Sequence, residues 1–357
     1  MAINFPSSPV DGQTLTVGKT VYAYSSAKGV WNLQTSELLI PTSPNYIING
    51  AFDIWQRGVI FGGTNTYCAD RWLQTRSGLT ALNVTRSTDV PTGQPLEYSA
   101  LMETSGLNTL AQLEQRIEAA SAHQIAGQTV TFSIWAKNGS GTAGNSTLTW
   151  SSAYPTPDDD IWTTSVSDQS GTFAATFTSG TWVRYSATFT ANALATRGYR
   201  ILVKRTLTAN ESTSTYLTGA QLELGSVATP FRRNAPSIQA ELAACQRYYV
   251  RFTGSATTDV TYFGHGFGYD ASNARFGIPL PTTMRVTPTS IAYNNLRAYN
   301  GSNGINGNTN ITLYTAGSRP TLLSVNLADS SVSTGVHYAL EGAGSGTVPY
   351  LAADAEL

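Results

Sequence analysis

Over most of the chain, apolar and polar positions alternate with a period of two, which is a strand pattern. In residues 129–137, Val130, Phe132, Ile134 and Ala136 fall on one face, while Thr131, Ser133, Trp135 and Lys137 fall on the other. The same alternation places Val183, Tyr185, Ala187 and Phe189 on one side of a strand at 181–190, and a further strand is read at 200–207. From Tyr46 to about Asn234 such runs recur at intervals of roughly 8 to 12 residues, with turn residues between them. A sheet with one apolar face has to cover that face. Stacking a second sheet on it gives a β-sandwich.

The flanks differ. Residues 1–40 hold short β-favouring runs in "FPSSPVDGQTLTVGKTVYAYSSAKGVWNLQ", broken at Val17-Gly18-Lys19 and at Ser25-Ser26-Ala27-Lys28-Gly29. They predict a separate sheet of two or three strands. So small a sheet is marginal alone, which predicts a partner for it: another copy of the chain or another protein. "TSELLIPTSPN" follows as a linker cut by two prolines, and the sandwich is assigned to 45–234. A linking helix is predicted at 235–250, with Ser237 as N-cap and Ile238, Leu242, Cys245 and Tyr249 at helical spacing. Residues 251–357 return to strands and turns as a β-rich terminal domain, in which "YNGSNGINGNTN" reads as a loop or hairpin cluster. No internal repeat of fixed period is evident.

Composition narrows the function. Of the 357 residues only 12% are Asp, Glu, Lys or Arg, and the formal net charge is −1. That argues against a nucleic-acid binder and against electrostatic binding to membranes. No stretch reaches the roughly 20 apolar residues a membrane helix requires, and the first ten residues lack the basic start and apolar core of a secretory signal. The Asn83-Val84-Thr85 and Asn138-Gly139-Ser140 triplets are then composition rather than glycosylation sites. Cys68 and Cys245 lie far apart and read as free buried thiols of a reducing compartment.

Candidate chemistry gathers on aromatics and acids. Trp135, on the polar face of its strand, is either a platform on which a sugar ring stacks or an indole packed under a covering loop or a neighbouring subunit. In "WSSAYPTPDDDIW", Trp150, Tyr154 and Trp162 surround Asp158, Asp159 and Asp160. This loop either holds a sugar by stacking and hydrogen bonds, ligates Ca²⁺ through its three carboxylates, or is a solvated acidic tip. Trp55, Arg57, Asp70, Arg71 and Trp72 read as architectural, the tryptophans burying area and the Asp–Arg pairs pinning the first turn; Trp182 and Arg184 read the same way. Catalysis has little support. His123, His265 and His337 fit no zinc pair, "YFGHGFGYD" around His265 lacks the helix a phosphate loop needs, and Glu114 and Glu118 are the one acidic pair considered for glycoside cleavage. A non-enzyme without cofactor is expected, apart from that calcium ion.

"NYIINGAFDIWQRG" and "YCADRW" resemble the opening of a jelly-roll domain found in bacteriophage tail-fibre and other virion proteins, which is itself similar to jelly-roll carbohydrate-binding modules. "QRIEAASAHQIAGQTVTFSIWAKNGS", "GTWVRYSATFTA" and "YLTGAQLELGSVATPFRRN" continue the resemblance, and "ELAACQRYY" resembles the helix that often follows the domain. The resemblance implies an all-β protein with a jelly-roll sandwich, a structural Ca²⁺ in some members, and a homotrimer in a virion. Its N-terminal unit would attach to tail or capsid proteins, and a host-surface glycan would be bound by multivalent adhesion. A capsid decoration or head-fibre protein is the alternative, and a polysaccharide depolymerase a third.

Overall fold

The computed structural model describes all residues except 1–2, 18–19, 35–42, 79–80, 106–109, 140–145, 178–179, 208–211, 255–260, 307–309 and 344–346. The linker prediction at 35–45 and the end of the Gly/Asn run therefore fall largely outside the described residues. The chain divides into two units, Met1–Pro44 and Asn45–Leu357.

In the first unit, strands Thr14–Val17, Thr20–Ser25 and Val30–Gln34 form an antiparallel meander. Phe5 stacks on Trp31 with ring centroids 5.2 Å apart and meets Tyr22 edge-on at 5.2 Å. None of its described residues is fully buried. Three short strands and one aromatic cluster remove too little apolar surface from water to make a closed core.

The second unit opens with two six-stranded antiparallel sheets. The back sheet runs Val183–Thr190, Thr129–Asn138, Thr213–Leu224, Ser99–Ser105, Ala81–Ser87, Ile60–Gly62. The front sheet runs Ser165–Ala174, Ser146–Pro155, Tyr199–Leu207, Leu110–Ile117, Leu73–Ser77, Thr66–Tyr67. Successive strands cross from sheet to sheet: Leu110–Ile117 is in front, Thr129–Asn138 behind, Ser146–Pro155 in front again. Tyr199–Leu207 and Thr213–Leu224 repeat the exchange, giving a jelly-roll sandwich. The alternation seen in the sequence supplies its core. Val130, Phe132, Ile134 and Ala136 have no exposed surface and join Leu113, Ile117, Ile201, Val203 and Leu222 between the sheets.

The Trp-rich motifs close one end. Trp72 stacks on Phe52 at 4.8 Å, and its indole N–H donates to the Asn49 carbonyl at 3.0 Å. Arg57 lies 3.9 Å from Asp70 and donates to Asp354 at 3.0 Å, while buried Arg71 pairs with Glu356 and lies over the Tyr248 ring. These are structural contacts, and they tie the last residues of the described chain to its first jelly-roll motif.

The helix Ile238–Gln246 is capped by Ser237, whose hydroxyl accepts from the Ala240 N–H at 3.2 Å. Its buried face differs from the predicted stripe. Ile238 is exposed, Tyr249 begins a strand, and the buried positions are Cys245 and Glu241. Glu241 accepts from the Asn49 and Ala235 N–H groups, so an acid with two backbone partners places this helix, and helical periodicity cannot register that.

Beyond it lie a three-stranded sheet, Tyr249–Thr253, Tyr350–Asp354, Ser290–Asn294, and a seven-stranded sheet. In the latter the order is Gly304–Asn306, Leu296–Tyr299, His337–Gly342, Tyr262–Gly268, Asn273–Pro279, Leu322–Ala328, Ile311–Leu313. They share a second core built on Phe276, Ile278, Leu296, Val325, Leu340 and Leu351. Among the described residues no helix is long and apolar enough to cross a membrane.

Candidate functional site

The predicted site residues part company. Trp150 belongs to the sandwich core, stacked on Phe189 at 4.6 Å, and Tyr154 is buried in the same core. Both expectations of a sugar platform are corrected. Each ring sits on the inward phase of its strand, where the opposite sheet covers it. Trp135 does point outward, but Leu96, Phe231 and Ala51 with Val90 pack around it. The packed reading of that residue holds.

Asp158 and Asp159 are exposed, and Asp160 accepts from the Ala119 N–H at 2.8 Å. Among the described residues no three His, Cys, Asp or Glu side chains gather into a group able to hold a metal ion. The proposed calcium triad does not converge, because its third carboxylate is turned inward to a backbone donor.

Trp162 is different. It is partly exposed and lies over the outer face of the front sheet, 5.5 Å from the Arg116 guanidinium and 5.8 Å from that of Arg200. Arg116 and Arg200 are register partners, and Glu114 sits between them at 3.1 Å and 3.5 Å. This fixes the indole against the sheet by cation–π attraction and fixes the guanidinium groups by ion pairing. Glu114 is therefore held by two arginines on this face. Glu118 is elsewhere, paired with Arg247 at 2.8 Å and accepting from the Tyr248 hydroxyl.

Strand register extends this face in parallel rows. One row is Gln112, Lys204, Thr149, Thr172, and the next is Glu114, Leu202, Ser151, Ser170. At the far end Thr149, Ser151, Ser170, Thr172 and Lys204 rim a hollow of about 270 Å³ floored by Trp150 and Gly171. Gly171 is required there: a Cβ would stand 2.8 Å from the Trp150 indole nitrogen. Register shifts in the Ser146–Pro155 strand accompany the hollow. The face thus combines one fixed indole, three cations, one carboxylate and a cluster of hydroxyls. Such a set can stack one apolar ring face and hydrogen-bond a neutral polyol. Sequence reasoning singled out Trp162, considered Glu114 only as a cleavage partner of Glu118, and missed Arg116, Arg200, Lys204 and the hydroxyl rim, since Thr and Ser are abundant everywhere in this chain.

The remaining predicted groups are structural. Trp182 donates to Asp89 at 3.0 Å, and Arg184 donates to the Ser133 hydroxyl at 2.9 Å. Both cysteines are buried and free. Burial pushes the Cys68 thiol up to about 12, so it stays protonated at neutral pH. His265 lies in the strand Tyr262–Gly268, not in a phosphate-binding turn.

No protein-family model matches the chain, and no curated protein does. Among solved structures it is similar to the enzymatically active domain of tailspike protein 4 of bacteriophage CBA120, at 17% identity and a TM-score of 0.35 over 51% of this chain and 21% of that one. The chain thus spans about a fifth of the length of that tailspike. It is also similar to a xylan-binding domain of CBM 22 (16% identity, TM-score 0.31, 48% of this chain, 99% of that one). A third is TmCBM61, solved with β-1,4-galactotriose (11% identity, TM-score 0.30, 51% of this chain, 100% of that one). Likenesses of this size assign no function to the present chain.

Proposed function

We propose that this chain is a carbohydrate-binding structural protein of a virus particle that attaches it to a surface glycan, without catalysing a reaction. The observation that carries the glycan reading is the outer face of the front sheet. There Trp162 is clamped beside Arg200, Glu114 and Arg116, on the same face as the hydroxyl-rimmed hollow at Thr149, Ser151, Ser170 and Thr172. A pyranose presents C–H groups to an aromatic face and hydroxyls to the side, and this arrangement offers partners for both. The adhesive role is supported by the Met1–Pro44 unit, whose described residues include none that is fully buried and which gains most from docking on a partner. Several copies on one particle would convert weak single-site binding into avidity.

The test is titration of the purified chain with xylan, galactan and host-cell surface polysaccharide, followed by calorimetry. Binding to at least one polymer is expected, weakened at least tenfold by Trp162→Ala, which corresponds to about 1.4 kcal/mol. Unchanged binding in that variant, or no binding to any of the three, would overturn the reading. Release of new reducing ends would overturn the non-catalytic part.

A further inference from the structure

Among the described residues, the aromatics in the exposed class are Tyr262, Phe267 and Tyr269, at 61%, 49% and 51% exposure. All three lie within eight residues, on the strand Tyr262–Gly268 and the turn that follows it. That strand is central in the seven-stranded sheet, with its other face on the second core. Register shows what flanks the rings. His337, Phe267, Arg275 and Asn326 form one row across the outer face, and Tyr299, Ala339, His265 and Gly277 form the next. Tyr262 stacks parallel to His265 with ring centroids 6.3 Å apart.

Arg275 is the one full charge in these rows. Its guanidinium carbon lies 3.5 Å from the ring centroid of Tyr269 and 4.1 Å from that of Tyr314, and its Nε is buried without a hydrogen-bond partner, which leaves the terminal nitrogens to meet a ligand. Among the described residues no carboxylate pairs with it within 4.0 Å. Asp270, in the adjacent turn, accepts instead from the Ser272 N–H at 2.7 Å and from the Asn273 amide at 3.0 Å. In the adjoining row Glu341, opposite Tyr262, is taken up by Arg297 at 2.7 Å, which leaves Arg275 as the cation of this face with no carboxylate in an ion pair among the described residues.

We propose that this face is a second glycan site, built for a polysaccharide that carries carboxylates. The sugar rings would lie against the exposed aromatics of the strand Tyr262–Gly268 and the turn after it. Arg275, packed against two tyrosine rings, takes the carboxylate in a charge-assisted, two-pronged hydrogen bond. The rows hold one guanidinium and no carboxylate, the charge pattern that suits an anionic partner. They also lack the repeated cations that track a nucleic-acid backbone. The inference goes beyond the sandwich reading and stands independently of it.

The experiment is binding of the full chain to polygalacturonate, to polysialic acid and to fully methyl-esterified polygalacturonate, with Trp162→Ala as a parallel arm. Retention of at least one acidic polymer is expected. Affinity should fall at least tenfold in Phe267→Ala and in Arg275→Gln, recover in part in Arg275→Lys, and survive in Trp162→Ala. Binding to polygalacturonate should also fall at least tenfold on esterification. Circular dichroism would show that each variant is folded. The proposal is overturned by failure to bind both acidic polymers, by equal binding of the ester, or by loss confined to Trp162→Ala. It is also overturned if a dT20 oligonucleotide binds this face, or if Phe267→Ala dissolves a dimer seen in ultracentrifugation, since the face would then serve another partner.

Discussion

The back sandwich sheet and the seven-stranded sheet each turn an apolar side toward a core and a mixture of polar and aromatic residues outward. On the back sheet, that outward side is covered. Residues 225–233 cross over it, where Thr229 donates to Glu223 at 2.9 Å and the Arg232 N–H donates to Gln221 at 2.8 Å. Phe231 and Leu96 then pack against Trp135. On the seven-stranded sheet nothing comparable lies over Tyr262, Phe267 and Tyr269 among the described residues. Strand periodicity fixes which side an aromatic faces. Whether that side meets water depends on a segment nearly a hundred residues away in the case of Trp135, and no local pattern carries that information.

The contrast can be broken most directly by removing the cover. Phe231→Ala should destabilise the sandwich by about 3 kcal/mol, because a buried ring is lost and the space beside Trp135 is left open. Chemical denaturation measures this. A loss below about 1 kcal/mol would mean the cover is an ornament of the sheet rather than part of its packing.

Charges sharpen the same contrast. Burial raises the Asp70 carboxyl from 3.8 to about 6, against the opposing pull of Arg57 and the Gln56 hydrogen bonds. Half-buried Asp270 is instead lowered by its Ser272 and Asn273 hydrogen bonds. For Asp70 the folded protein holds a proton that the unfolded chain releases, so stability falls as pH rises through the window between about 4 and 6, by at most about 3 kcal/mol in all. Asp70→Asn should flatten that slope. Denaturation midpoints at pH 4.5 and pH 7 decide it, and a wild-type slope identical to the variant's would refute the assignment.

The smallest effect belongs to the bare face. Phe267→Ala should change folding stability by no more than about 0.5 kcal/mol, since its ring has little packing to lose. A calorimetric melt in which this variant matched Phe231→Ala would show that the platform is structural after all.

Much of the architecture was legible. Val130, Phe132, Ile134 and Ala136 are all core residues because a period-2 stripe has one way to be buried, and the Ser237 cap marks a helix start through purely local hydrogen bonding. The candidate site was legible only in part. Trp162 was found, yet its neighbours Arg116 and Arg200 are brought together beneath it by strand pairing across more than eighty residues, and Lys204 reaches the hollow on the same face in the same way. Trp150 and Tyr154 were misplaced because aromatics close to a Pro/Asp loop look exposed in sequence, while both fall within the buried strand Ser146–Pro155.

By itself, then, the sequence determined an all-β chain with a sandwich, a separate small N-terminal sheet and one capped helix. These follow from periodicity, turn residues and a capping side chain, all of which act over a few residues. Tertiary structure alone decided which outward faces are bare. It turned Asp160 to a backbone N–H, set Trp162 over two paired arginines, and left Tyr262, Phe267 and Tyr269 uncovered on the face that carries the Arg275 guanidinium. Exposure is a property of what lies above a residue, and in this fold that is always a distant part of the chain.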